Sequence, residues 1–168
     1  SFVATILTII VGLLAALLEA SRSGKGQVID AAMTDGAIAL LGMSFSERAS
    51  DPNFSDATGE LMLAGAAPYY GTFETSDGRY LAIGAIEPQF YALLIEKLGV
   101  HRKFLAAGYP GSRRHWPEAE AAIAAAVQTK TRDEWAAIFE GTDACVAPVL
   151  SLGEAARHPH NVARGSFI

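Results

Sequence analysis

The sequence predicts an α+β fold, and three observations carry that expectation. Two short runs rich in aromatic and β-branched residues, Tyr69–Phe73 and Arg79–Ile86, flank the turn Thr75-Ser76-Asp77-Gly78. Asp-Gly between two such runs is a strong hairpin signal. Segments with helical spacing, punctuated by Pro, Gly and capping residues, lie on both sides of that hairpin. Strands and helices do not alternate as they would in a parallel βαβ sheet.

The elements follow in order. A first helix is expected from about Phe2 to Ala20. Ser1–Leu18 carries no charge and has the length of a bilayer span. Thr5, Thr8 and Gly12 interrupt it, no basic residue precedes it as in a signal peptide, and Ala15-Ala16 forms a small face before Leu17-Leu18-Glu19. These features favour a buried core helix over a membrane helix. Opening on such a helix gives the chain the look of a truncated piece. Ser21–Gly26 breaks the helix, with Gly24 as a left-handed cap. Val28 opens a second helical stretch with Ile29, Met33, Ala37 and Leu40 on one face, fading near Arg48. The polar, Gly-bearing segment 49–65 reads as a long loop. After the hairpin, Pro88–Leu98 places Phe90, Leu93, Leu94 and Leu98 at helical spacing, and Gly99 ends it. His101–Trp116 is irregular, and Pro117–Gln128 is helical. Thr131-Arg132-Asp133-Glu134 is a capping box opening a helix from Arg132 to Glu140. Asp143–Leu150, with Pro148, reads as extended, Leu152–Arg157 as a short helix, and Ser166-Phe167-Ile168 stops without a turn signal.

Composition narrows the function classes. The chain has 168 residues, 51% apolar and 18% charged, with a formal net charge of −5. That is a globular composition, and the negative balance argues against nucleic-acid binding. Cys145 is the single cysteine, so there is no internal disulfide framework, which suits a reducing, cytoplasmic setting.

Several residues invite chemistry. Gly24-Lys25-Gly26-Gln27 lacks the upstream glycine and the following Ser or Thr of a phosphate loop, so it reads as a connector. His158-Pro159-His160 has no accompanying carboxylate or cysteine set and reads as a solvated loop rather than a metal site. Cys145, beside Asp143 with no His or Lys adjacent, reads as a buried, inert thiol. Glu87 is the stronger candidate. It ends the second strand and, with Pro88 suited to the first helical position, sits where free amides and a positive dipole end favour a carboxylate. The residues alone favour core aromatics at Tyr69-Tyr70 and a capping acid at Glu87. The functional alternative is a phenol and a carboxylate converging on a cleft.

The string GAAPYYGTFETSDGRYLAIGAIEPQFYALLIEKLG resembles the α-methylacyl-CoA racemase branch of the family III CoA-transferase (CaiB/BaiF) superfamily. SGKGQVIDAAMTDG before it, and KTRDEWAAIFEGTDACVAPVLSLGEA and HPHNVARGSFI after it, agree in the same order. The resemblance implies a partial fold: helices of a large domain (1–48), a linker (49–68), a small α+β domain (69–150) and a return segment toward the large domain (151–168). It implies an interlocked homodimer in the complete protein, an acyl-CoA thioester as substrate, no membrane or nucleic-acid partner, and no metal or other cofactor, since CoA arrives as part of the substrate. The implied reaction is inversion at C2 of a 2-methylacyl-CoA through an enolate. Glu87 matches the glutamate that orients the family's catalytic histidine, and Tyr70 a tyrosine lining the same cleft. The proton-transfer pair itself, a histidine and an aspartate, falls outside the sequence: the histidine upstream, the aspartate in a Gly-Asp-Phe-Gly-Gly-Gly motif at or just before Ser1–Thr5. The chain alone is therefore expected to be inactive. The alternatives are a family III CoA transferase acting through a carboxylate nucleophile, and a non-catalytic interaction or membrane-anchored module built on Ser1–Leu18.

Overall fold

A computed structural model describes residues 2–52, 54–55 and 57–167, with the side chains of residues 2–5 outside the description. Ser1 and the side chains of residues 2–5, over which the aspartate motif aligns, and the chain end at Ile168 therefore lie outside the description. The chain divides into two compact units, Ser1–Ser55 and Asp56–Ile168, a division that falls inside the 49–68 segment.

The first unit is helical: α1 (Phe2–Ser23), α2 (Met33–Leu40) and α3 (Gly42–Ser50). Gly24 follows α1 with φ 71°, the left-handed cap its position predicts. Two expectations are corrected here. Helix α2 starts at Met33 and not Val28; Gly24–Ala32 is non-helical, and Ile29 packs against α1 at Gly12. A Cβ on Gly12 would sit 3.3 Å from Ile29 Cγ2, so the glycine that looked like an interruption makes room for the returning chain. Second, α1 is not a buried core helix within the described residues. Its window Ile6–Ser23 is long and apolar enough to cross a membrane, and none of it is buried.

The second unit holds the core. Strands β1 (Tyr70–Glu74), β2 (Tyr80–Gly84) and β3 (Val146–Pro148) form an antiparallel sheet in the order β1-β2-β3. The turn between β1 and β2 closes through Thr75 N–H to Arg79 O (2.8 Å) and Gly78 N–H to Thr75 O (3.0 Å), with Gly78 at φ 71°. Along β2, Leu81 and Ile83 are buried while Tyr80 is exposed, the alternation of a half-covered sheet.

Against the buried face pack α4 (Pro88–Leu98), α5 (Trp116–Val127) and α6 (Arg132–Phe139). They contribute Tyr91, Leu94, Ile95, Trp116, Ile123, Val127, Trp135 and Phe139 to one apolar cluster. Tyr69 meets Tyr91 and Trp116 edge-on at 5.8 and 5.9 Å between ring centroids, an arrangement that aligns positive ring edges with negative faces. The buried indoles are satisfied: Trp116 Nε1 donates to Ala107 O (3.1 Å) and Trp135 Nε1 to Val127 O (2.7 Å). The irregular segment 101–115 contains the 3-10 turns Arg102–Ala107 and Arg113–His115. Helices α7 (Leu152–Arg157) and α8 (Pro159–Arg164) complete the unit. The second of these corrects the solvated-loop expectation at His158-Pro159-His160: Pro159 occupies the first turn of α8 and His158 its N-cap.

The capping box of α6 is formed in full. Glu134 N–H donates to Thr131 Oγ1 (3.3 Å), and Thr131 N–H donates back to Glu134 Oε2 (2.8 Å). Bonds from Thr131, the backbone one foremost, hold the Glu134 carboxyl below its ordinary range. A lowered folded value means that this contribution is present above the ordinary carboxylate range and is lost as pH falls through the folded value. Thr131→Ala is expected to cost about 1 kcal/mol, read as a lower urea midpoint at neutral pH with an unchanged slope.

Candidate functional site

The hairpin and α4 place the two candidate residues at one end of the sheet. Tyr70 opens β1 and pairs with Gly84, the last residue of β2. The Gly84 N–H donates to Cys145 O (2.9 Å) just before β3. A Cβ at Gly84 would lie 3.9 Å from both that carbonyl oxygen and Tyr70 Cε2, so the ring of Tyr70 stands over a position with no side chain. Beyond Gly84 the chain turns through Ile86 N–H to Gly84 O (3.0 Å) and reaches Glu87.

Glu87 is the N-cap of α4, in extended backbone (φ −69°, ψ 141°), with Pro88 in the first helical turn. Its carbonyl accepts the N–H groups of Phe90 and Tyr91, both at 3.0 Å, which starts the helix. Its side chain makes no capping hydrogen bond and is exposed. The carboxylate is therefore not consumed by its own helix, and it stands at the positive end of α4. Tyr70, at the same end of the sheet, is half-buried.

Cys145 borders the same end and corrects an expectation: the thiol is exposed and not buried. Cys145 has φ 53°, a left-handed conformation that a non-glycine residue adopts only when its surroundings hold it there. Desolvation first, then the charges of Glu87 and Asp143, push the thiol up from its ordinary value, so it is a protonated thiol and not an activated thiolate. The absence of an adjacent His or Lys suggests a buried thiol, and the left-handed backbone at Cys145 accompanies its exposure instead.

Two open concavities lie elsewhere on the second unit. One, of about 590 Å³, runs along Gly78, Arg79, Tyr80, Arg132, Ser151 and Glu154. The other, of about 580 Å³, lies between α6, β3 and His158. Neither is lined by Tyr70 or Glu87. Sequence reasoning missed the buried charge beside the first. Arg132 is 5% exposed and forms a two-pronged pair with Glu154, at 3.1 Å (Nη1 to Oε2) and 2.8 Å (Nη2 to Oε1). The signal for it was Ser151-Leu152-Gly153-Glu154, a second capping box. Among the described residues, no group of three or more His, Cys, Asp and Glu side chains could hold a metal ion.

The model of the family CoA-transferase family III matches residues 1–168, and the chain belongs to that family. Within it, the chain is 44% identical over 157 residues to Alpha-methylacyl-CoA racemase of Mus musculus, covering 94% of this chain and 40% of that protein. It is 46% identical over 158 residues to Alpha-methylacyl-CoA racemase of Homo sapiens, with the same coverages of 94% and 40%. The chain thus spans about two fifths of the length of these curated relatives. Among solved structures, Rv3272 from M. tuberculosis superposes with a TM-score of 0.65 at 20% identity, covering 91% of this chain and 39% of that one. That likeness supports the mixed α+β fold with its small antiparallel sheet.

Proposed function

We propose that this chain is the C-terminal part of a CoA-thioester racemase that inverts C2 of a 2-methylacyl-CoA. The observation that carries the reading is the exposed Glu87 carboxylate at the start of α4, unused by its helix and at the same end of the sheet as Tyr70 and Cys145. The identity to proteins named as racemases gives that carboxylate its context. The thioester carbonyl acidifies the C2 proton. A base takes the proton from one face, the electron pair moves onto the carbonyl oxygen as an enolate, and a conjugate acid returns a proton to the other face. No redox step enters, and CoA is the substrate's own handle. By the family resemblance, the proton carriers are a histidine and an aspartate contributed by polypeptide outside this sequence. Glu87 accepts a hydrogen bond from the far ring nitrogen of that histidine, fixes its tautomer and orients the other nitrogen toward C2. Tyr70 lines the wall of the cleft. The domain division at 1–48, 49–68, 69–150 and 151–168, the homodimer and the cytoplasmic setting belong to the same proposal.

The test is exchange of the C2 proton of 2-methylacyl-CoA in deuterated water. In a complete enzyme carrying this sequence as its C-terminal part, Glu87→Gln is expected to keep the fold and lower turnover by about 10- to 100-fold. The 168-residue chain alone is expected to give no exchange. Undiminished turnover in Glu87→Gln would reduce Glu87 to a structural residue. An acyl-enzyme trapped on a carboxylate, without solvent exchange, would establish CoA transfer instead.

A further inference from the structure

The C-terminal helices α7 and α8 are attached to the second unit in an unusual way. Neither contributes a buried residue, and they pack mainly on each other. Leu152 is 92% exposed and Val162 is 62% exposed, so within these 168 residues apolar burial, the usual glue of a short helix, does not hold them. Among the described residues, the side-chain hydrogen bonds and ion pairs that join this segment to the body are those of Glu154, while His158 lies beside α6 and β3. The Glu154 carboxylate receives both terminal nitrogens of Arg132 and Arg79 Nη1 at 3.3 Å. It also accepts the N–H of Ser151 at 2.8 Å, which starts α7.

The body half of this contact is fixed without Glu154. Arg132 Nε donates to Asp133 Oδ1 (2.9 Å), and Nη1 donates to Val149 O (3.0 Å). The Arg132 N–H donates to Asp77 Oδ1 (3.1 Å) in the hairpin turn. Arg79 lies 3.8 Å from Asp77 and 3.7 Å from Asp133. Both guanidinium groups therefore retain carboxylate neighbours when Glu154 departs, and the buried Arg132 is not left as an orphaned charge. The side chain of Glu154 is 32% exposed and borders the open concavity, so water and salt reach it.

We propose that α7–α8 is a strap held by an ionic clasp. Glu154 closes on Arg132 and Arg79, and release of that one carboxylate frees residues 152–164 as a piece while the sheet and α4–α6 stay folded. The clasp sets the direction in which this segment leaves the hairpin turn, and ionic strength controls it.

Backbone hydrogen exchange of the 168-residue chain, followed by mass spectrometry, tests the clasp. The informative variant is Glu154→Gln, because a glutamine keeps the reach of the capping box but loses the charge. Amides 155–165 are expected to exchange faster by about tenfold or more, while those of Leu81–Ile83 and of α4 keep their wild-type rates. In wild type, about 1 M salt should loosen the same amides, because the screening length there falls to about 3 Å; Glu154→Gln should show little further response. Unchanged strap amides in Glu154→Gln would overturn the proposal. So would opening of the sheet together with the strap, since the clasp would then be part of the cooperative core. Ser151→Ala removes the cap hydroxyl but leaves the ion pairs. Equal loosening in that variant would show that local capping, and not the clasp, holds the strap.

Discussion

Trp116→Ala is expected to remove about 3–5 kcal/mol of the stability of the second unit. The ring is 7% exposed and edge-on to Tyr69; its N–H satisfies Ala107 O, and Arg113 lies over its face at 5.1 Å. Truncation therefore opens a cavity, removes an aromatic contact and leaves a buried carbonyl without its donor. The irregular segment 101–115 is tied to the core by side chains, Trp116 donating to Ala107 O and Tyr91 to Phe104 O, with Ala107 itself in the apolar cluster. A typical domain holds only about 5–15 kcal/mol in total, so the variant should be largely unfolded at moderate urea. Trp135, the second of the two tryptophans, remains as the fluorescence reporter. A loss below about 1 kcal/mol would show that this segment melts separately from the sheet.

Gly108→Ala is expected to be nearly as damaging, by the opposite mechanism. A Cβ at Gly108 would run into the ring of Tyr91 and lie 3.3 Å from Leu105 O. Tyr91 cannot retreat: it is 1% exposed, its hydroxyl donates to Phe104 O (3.2 Å), and Tyr69 closes its other side. Burial, with Tyr69 adding to it, pushes the Tyr91 phenol up to about 12, so it stays neutral throughout the useful pH range. Its contribution is lost only as pH rises from the ordinary phenol range through that folded value. Overpacking of this kind costs about 1–3 kcal/mol. The double variant Gly108→Ala/Tyr91→Leu should be less destabilised than the sum of its parts, because the second change makes room for the first. Strict additivity in denaturant titrations would refute the steric account.

Much of the fold was legible because the chain punctuates its elements. Helix α4 runs from Pro88 to Leu98 as expected, since proline suits the first turn and Gly99 takes the left-handed cap at φ 69°. The capping box predicted α6, and Asp77-Gly78 predicted the hairpin. The failures share a cause: the deciding interaction was distant in sequence. Ile29 fits a helical stripe with Met33, yet it is held off the helix by its seat at Gly12. Arg132 stood in the sequence only as a member of the capping-box string; its burial is decided by Glu154, 22 positions later. At the candidate site, strand and helix signals located Glu87 and Tyr70 at one end of the hairpin. They could not show that the Glu87 side chain leaves its helix uncapped, because a carboxylate at an N-cap has both options and the sequence is the same for either.

The bare apolar surface of α1 has a practical consequence for anyone preparing this polypeptide. Ile10, Val11, Leu14, Leu17 and Leu18 are all exposed, a greasy stripe that invites self-association in aqueous buffer. The core cluster lies wholly within Asp56–Ile168. A shortened recombinant product beginning near that boundary would shed the sticky helix while keeping Glu87, Tyr70 and both tryptophans, and would be the form best suited to spectroscopy and crystallisation.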